Sequence, residues 1–434
     1  MKTTASYKRL ITERNAQFEA TVFDNAFFWL FFALVVLFSV SEMINEMSGE
    51  SRYFLVTPAL CRLVIVTVSF FFLLFRFTFE TPVIFPALIA GWAILLSLNA
   101  AFDNFKGAPY DNDIRVKSVV DSLLWPSVCL VYYTFARNGG LMAKRMVWCF
   151  VALFLLLCGI FYTHSEMLTT TAKGEYVQSN IIYFPLLMMP WVFCLRNTLV
   201  RNLFVGLFAA LALISAKRTG IAAIGLAYVT HALILVCAKK HKKLLSILAL
   251  IGFVSLLAIW LRFTDRLPVD VVFERFSTIH EDQGSGRIAI MTAVLNRQKD
   301  AGLIDWLVGH GYIGTIRDLG ETGHNDFIEV LYNFGLAGLL IYSAIHFILL
   351  KHMFRLVSVG SANAPSFAAA YVIFFVVSMI SHLVVYPSYI IYITAFFGMM
   401  FGMVRSHRIR PINNLRENNK TTNEHKHQAM ASAT

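Results

Sequence analysis

The chain has 434 residues, 57% of them hydrophobic and only 15% charged, with 39 phenylalanines and a mean hydropathy of +0.64. These values exclude an ordinary water-soluble domain. The formal net charge of +11 would point to nucleic acid in a soluble protein, but the basic residues sit in short loops between apolar runs, the signature of cytoplasmic loops in a membrane protein, so no nucleic acid is expected as partner.

Charge-poor runs long enough to cross a hydrocarbon core about 30 Å thick recur along the chain, and membrane lipid is therefore its solvent. They predict spans near 24–45, 55–76, 82–102, 118–136, 143–163, 179–195, 199–216, 219–238, 244–262, 324–350, 366–386 and 388–404. The fold class is all-α: a polytopic integral membrane protein of about twelve transmembrane helices. The first run, Phe27 to Ile44, follows a basic N-terminus as a signal peptide would, yet it is too long for an h-region and lacks a small-residue cleavage site, so it reads as a retained helix.

Alternate connections carry the positive clusters: Arg137, Lys144 and Arg145; Arg196 and Arg201; Lys239, Lys240, Lys242 and Lys243; Lys351 and Arg355. Both ends are basic too, with Lys2, Lys8, Arg9 and Arg14 at one and Arg405, Arg408 and Arg410 at the other, which predicts two cytoplasmic termini. The chain then divides into helices 1–9 over residues 1–261, a large outward-facing loop over 262–323, helices 10–12 over 324–404, and a polar tail over 405–434 that cannot bury a core and is expected to be disordered. The large loop is expected to be partly helical, because Ile288, Met291, Val294 and Leu295 recur at helical spacing. A loop of this length in a compact protein is usually functional.

Cys61, Cys129, Cys149, Cys158, Cys194 and Cys237 all fall inside apolar runs without CxxC spacing, so they read as small core hydrophobes. No metal site is expected.

Candidate chemistry gathers at connections assigned to the outside. Lys217 and Arg218, in Ser215-Ala-Lys-Arg-Thr-Gly220, break the positive-inside pattern. Either the pair grips a phosphate or pyrophosphate, or both side chains snorkel to headgroups. His324-Asn325-Asp326 opens a span after Glu321-Thr322-Gly323, with Thr322 placed as an N-cap so that free N–H groups could dock an anion. His324 is placed to take a proton from a sugar hydroxyl near neutral pH, against the plainer reading of a hydrated interfacial histidine. Gly284-Ser285-Gly286-Arg287 predicts a turn that sets Arg287 at a helix start, as a ligand or as a solvated cation. Gly309-His310-Gly311 permits tight backbone approach. His382, Tyr386, Arg62 and Asp121 are secondary candidates, since polar groups within spans are often functional.

His324-Asn325, nine residues, then Gly335-Leu-Ala-Gly338 resembles the His-Asn-x9-Gly-x-x-Gly signature of bacterial O-antigen ligases and the related O-antigen and exopolysaccharide polymerases. Ser-Ala-Lys-Arg-Thr-Gly, Gly-Ser-Gly-Arg and Gly-His-Gly-Tyr resemble that family's motifs in the same order, over roughly residues 200–400. The resemblance implies a GT-C-like fold in the bacterial inner membrane with a site facing the periplasm. It implies metal-independent transfer of an undecaprenyl-pyrophosphate-linked oligosaccharide to an acceptor glycan, with inversion and no cofactor. Arg218 and Arg287 would hold the pyrophosphate with Lys217 as an addition, His324 would be the base, and Asn325, Asp326 and His310 would support them. The acceptor would be a lipid-linked repeat unit in a polymerase or lipid A-core in a ligase; the Lys-Arg-Thr-Gly turn and Asp-Phe-Ile-Glu-Val-Leu-Tyr-Asn-Phe-Gly lean to the polymerase, the His-Asn-x9-Gly spacing to the ligase. A chain-length regulator as further partner, and a flippase or transporter as rival function, stay open.

Overall fold

A computed structural model describes residues 2–48, 52–76, 84–105, 112–137, 140–171, 180–215, 217–237, 287–312, 314–384 and 386–403, and every regular element among them is helical. The predicted span near 244–262, the part of the large loop up to Gly286 and the tail over 405–434 lie outside the described residues. The other predicted spans each fall on a helix. These are α1 (Lys2–Ser48), α2 (Arg52–Arg76), α3 (Ile84–Phe105), α4 (Asn112–Arg137), α5 (Gly140–Thr171), α6 (Tyr183–Phe193), α7 (Thr198–Ile214) and α8 (Arg218–Cys237). After the loop come α12 (Asp326–Ser358), α13 (Ala364–Ile380) and α14 (Pro387–Met403).

Among the described residues, 6 helices are by length and hydropathy sufficient to cross a membrane: α1, α2, α4, α5, α8 and α12. Shorter apolar helices fill the space between them, among them α6, α7, α13 and α14. α6 has apolar residues around its whole circumference and is buried on all sides, which fits an interior position. Its Trp191 stacks on Phe150 at 4.1 Å, meets Phe396 edge-on at 5.4 Å, and donates its indole N–H to the Tyr392 carbonyl at 3.1 Å. α14 lies hard against α4, since a Cβ at Gly398 would stand 2.2 Å from the Cys129 carbonyl oxygen. Small residues permit such backbone approach where no water drives association.

One buried cluster of charges is paired across helices. Arg62 on α2 donates to Asp121 on α4 at 2.8 Å and also binds Glu42 on α1, tying three helices together. The sequence offers Arg62 and Asp121 as functional candidates; the structure gives them a cross-linking role, and removing one partner would strand a buried charge.

The described part of the large loop holds three short helices, α9 (Arg287–Lys299), α10 (Leu303–Val308) and α11 (Gly314–Leu319), all seated on α12. The predicted apolar face of α9 is only partly buried: Val294 is enclosed, whereas Ile288 and Leu295 stay exposed. What anchors this cap is a break in α12. At Gly335 the backbone turns to φ 65°, ψ −165°, which releases the carbonyls of the preceding turn. Those carbonyls would be costly to leave buried without donors. The Tyr332 carbonyl accepts from the His310 N–H at 2.9 Å, and the Asn333 carbonyl from the Gly311 N–H at 3.0 Å. From α3, Asn99 donates to the carbonyls of Val308 and Asn333.

Two glycines make this junction possible. A Cβ at Gly309 would lie 2.3 Å from the Asn333 carbonyl oxygen, and one at Gly335 would lie 2.5 Å from the Leu307 carbonyl carbon. Both residues also have positive φ, a region where side chains are disfavoured. The Gly-His-Gly turn and the glycine ten residues after Asn325 are thus two halves of one backbone contact.

Candidate functional site

α12 begins at Asp326, capped by Asn325, whose Oδ1 accepts from the N–H groups of Phe327 at 3.0 Å and Ile328 at 3.2 Å. The cap expected at Thr322 is therefore displaced by three residues, because Asn325 occupies the extended conformation that aims a side chain back at the first turn. Two of the N–H groups expected to be open to an anion are taken by this cap. Negative charge near the site must be met chiefly by side chains.

Asp326 turns inward and is fully buried. Its Oδ1 accepts from the N–H groups of Leu383 at 2.7 Å and Val384 at 3.1 Å, and its Oδ2 accepts from the Tyr342 hydroxyl at 3.0 Å. The carboxyl group thus clamps the turn between α13 and α14 and orders its backbone beside His382. Glu329, one turn on and equally buried, accepts from the Thr315 hydroxyl and the Gly323 N–H, fixing α11 and the run that leads to His324.

His324 itself has φ 50°, the left-handed region that a non-glycine residue enters only when its surroundings compel it. Its Nδ1 lies 3.1 Å from Nδ1 of His382, and that same His382 nitrogen lies 3.0 Å from Thr322 Oγ1. The two rings are 4.9 Å apart, and the Tyr386 ring stands 4.5 Å beyond His382.

Burial lowers the affinity of the His324 imidazole for protons; the charges of Arg287 and Lys217 push the same way, and Glu321 opposes them. His382 is lowered further, first by burial and then by His324, Arg287 and Lys217. The fields of two cations that lie 70 residues apart in sequence, as their numbers show, therefore meet at both rings. Lys217 follows the C-terminal cap of α7, Arg218 opens α8 half-buried beside it, and Arg287 opens α9. The charges of Lys217 and Arg287 thus act on His324 and on its neighbour His382, and Arg218 stands next to Lys217 in the chain.

His310 is used differently. Its ring stacks on Tyr332 at 4.2 Å and its backbone seats the cap on the α12 break, while Arg317 donates to its carbonyl at 3.0 Å. Arg317 also pairs with Asp318, which takes the Tyr332 hydroxyl at 2.8 Å. Burial alone would raise the Asp318 carboxyl, but these hydrogen bonds and the charges of Arg317 and Arg297 hold it below its usual value. Asp318 is thus an ionised strut under the cap.

Sequence reasoning places His382 only among secondary candidates and assigns Glu329 nothing. Acidic and histidine residues in an otherwise apolar stretch are the signal available for both, and it does not name their partners. No protein-family model and no curated protein sequence matches this chain.

Proposed function

We propose that this protein is a glycosyltransferase that moves an oligosaccharide from undecaprenyl pyrophosphate to a hydroxyl of an acceptor glycan, at the periplasmic face of the bacterial inner membrane. What supports the reading is His324, held at positive φ against His382 with the charges of Arg287 and Lys217 acting on it, in the motif order that resembles O-antigen polymerases and ligases. Cations and a neutral imidazole in one half-buried place are what this transfer needs.

His324 takes the proton from the acceptor hydroxyl, and the freed oxygen attacks the anomeric carbon. The bond from that carbon to the pyrophosphate oxygen breaks, with inversion, and undecaprenyl pyrophosphate leaves with the electron pair. Arg287, Lys217 and Arg218 stabilise the negative charge as it develops, the electrostatic contribution that dominates such steps. Burial first, and then the same cations, lower the affinity of His324 for protons before reaction. Activity should therefore persist to lower pH than an ordinary imidazole, near 6.5, would allow.

A transporter would distribute its polar groups along a midplane path. Here Lys217, Arg218, Arg287 and His324 stand where α8, α9 and α12 begin, and His382 just past the end of α13, an arrangement that favours chemistry at a surface. The acceptor is a second lipid-linked repeat unit, making the enzyme a polymerase, as the Lys-Arg-Thr-Gly turn suggests. The ligase reading, with lipid A-core as acceptor, draws on the His-Asn-x9-Gly spacing.

The polysaccharide ladder of a deletion strain complemented with the wild-type gene tests both. Loss of long chains in the deletion strain, leaving core with a single repeat unit, identifies a polymerase. Loss of all attached polymer with accumulation of lipid-linked polymer identifies a ligase. A deletion strain with an unchanged ladder overturns the proposal.

A further inference from the structure

His324 and His382 are 58 residues apart in sequence, yet their Nδ1 atoms stand 3.1 Å apart. The contact is built from both sides. Asn325 Nδ2 donates to the Met379 carbonyl at 3.0 Å, just before His382, and Asp326 Oδ1 takes the N–H groups of Leu383 and Val384, just after it. The two residues following His324 thus grip the backbone on either side of His382, and the positive φ of His324 completes the alignment. Strained backbone of this kind survives only where its neighbours fix it, and such places are often functional.

Two ring nitrogens at this separation share one proton: one ring donates N–H and the other offers a lone pair. If His324 donated nothing here, its proton would sit on Nε2 and that nitrogen could not act as a base. Thr322 Oγ1 lies 3.0 Å from the same His382 nitrogen, so in this arrangement its hydroxyl is a second donor to that nitrogen, and no other acceptor for His324 Nδ1–H is found among the described contacts. Arg287 and Lys217 are cations acting on both rings, Glu321 acts on His324 from a distance, and Tyr386 presents its ring to His382. Glu329 is already engaged with Thr315 and Gly323.

We infer that His382 is the positioning residue of the site: its Nδ1 accepts from Nδ1–H of His324 and so leaves the Nε2 lone pair of His324 for the acceptor hydroxyl. The ring nitrogen that is free for chemistry is set by the hydrogen bond made at the other. When His324 takes the proton, the bond to His382 becomes charge-assisted and steadies the imidazolium, as an orienting partner does for a histidine base in hydrolases. The identity of the proton donor rests on the glycosyl-transfer reading; the hydrogen bond between the rings does not.

The test pairs a spectrum with an assay. Full-length protein labelled with nitrogen-15 at histidine is examined in lipid near neutral pH, with the His324 signals assigned by their loss in His324→Gln. Transfer is followed with undecaprenyl-pyrophosphate-linked repeat unit extracted from cells lacking the gene. The expected wild-type spectrum shows His324 protonated at Nδ1 and bare at Nε2. In His382→Ala that pattern reverses, and kcat falls on the order of 100-fold with the donor KM little changed. His382→Asn, whose amide oxygen can accept in place of Nδ1, keeps the wild-type tautomer and recovers most of the rate. A wild-type His324 protonated at Nε2, or a His382→Ala spectrum identical to wild type, overturns the inference. Equal impairment of the alanine and asparagine variants with the tautomer unchanged also overturns it. Absence of transfer by wild-type protein would instead count against the glycosyl-transfer reading, and the spectrum would still decide the pairing.

Discussion

The start and the interior of α12 treat histidine in opposite ways. At the N-terminal end His324 has a polar partner in His382, cations acting on it, and backbone held in an unusual conformation. Farther along the helix His346 is 5% exposed and lies between Phe374, 4.7 Å away and nearly parallel, Tyr342 at 4.8 Å and Phe327 at 5.1 Å. Neither of its ring nitrogens has a hydrogen-bond partner among the described residues. His346 is used as a flat apolar body, like its aromatic neighbours. The difference shows that residue type alone does not mark a site; the partners and the field do.

The largest effect that would sharpen this contrast is expected from His324→Ala. Its transfer rate should fall by about 10²–10⁴-fold, the range for a lost general base, with protein levels in the membrane unchanged as judged by immunoblot. Arg287→Gln should lower kcat/KM on the order of 100-fold by removing one donor to the departing pyrophosphate. The same variant carries a signed pH prediction. Arg287 holds the His324 imidazole down, so its removal raises that group's affinity for protons, and the acid limb of the kcat/KM profile should move to higher pH. A limb that stays in place or moves down would separate Arg287 from His324.

Gly335→Ala probes the break that seats the cap. The added Cβ meets the Leu307 carbonyl in a backbone region alanine avoids, so thermal unfolding in detergent should show a loss of about 2–4 kcal/mol. An unchanged midpoint would mean that the cap does not depend on this junction. The smallest effect belongs to His346→Phe, which preserves a flat ring among rings. Activity within about twofold of wild type and an unchanged unfolding midpoint are expected; a large loss of activity would erase the contrast between the two histidines.

Hydropathy makes most of the helical architecture legible, because lipid demands long charge-free runs whatever the helices pack against. Lys217, Arg287 and His324 also stand out one by one, as charges placed where composition gives no reason for them. What local pattern cannot supply is pairing across the chain. Thr322 has the residue type and spacing of a helix cap, but the extended backbone of Asn325 takes that role and leaves Thr322 for His382. Asp326 reads as part of a reactive triplet and instead bonds a turn more than fifty residues away. The Gly-His-Gly turn is legible as a place of close approach, whereas its counterpart, the break at Gly335, depends on carbonyls that only the folded cap can satisfy. Ile288 and Leu295 keep helical periodicity on α9 without being enclosed among the described residues, since periodicity reports an apolar face and not what covers it.

The most direct measurement uses purified protein in lipid vesicles with an extracted undecaprenyl-pyrophosphate-linked repeat unit, comparing wild type, His324→Ala and His346→Phe for growth of the glycan and release of undecaprenyl pyrophosphate. Transfer by wild type and His346→Phe, with none by His324→Ala, is the predicted result. Equal turnover by all three folded proteins would contradict the assignment of His324 as the base.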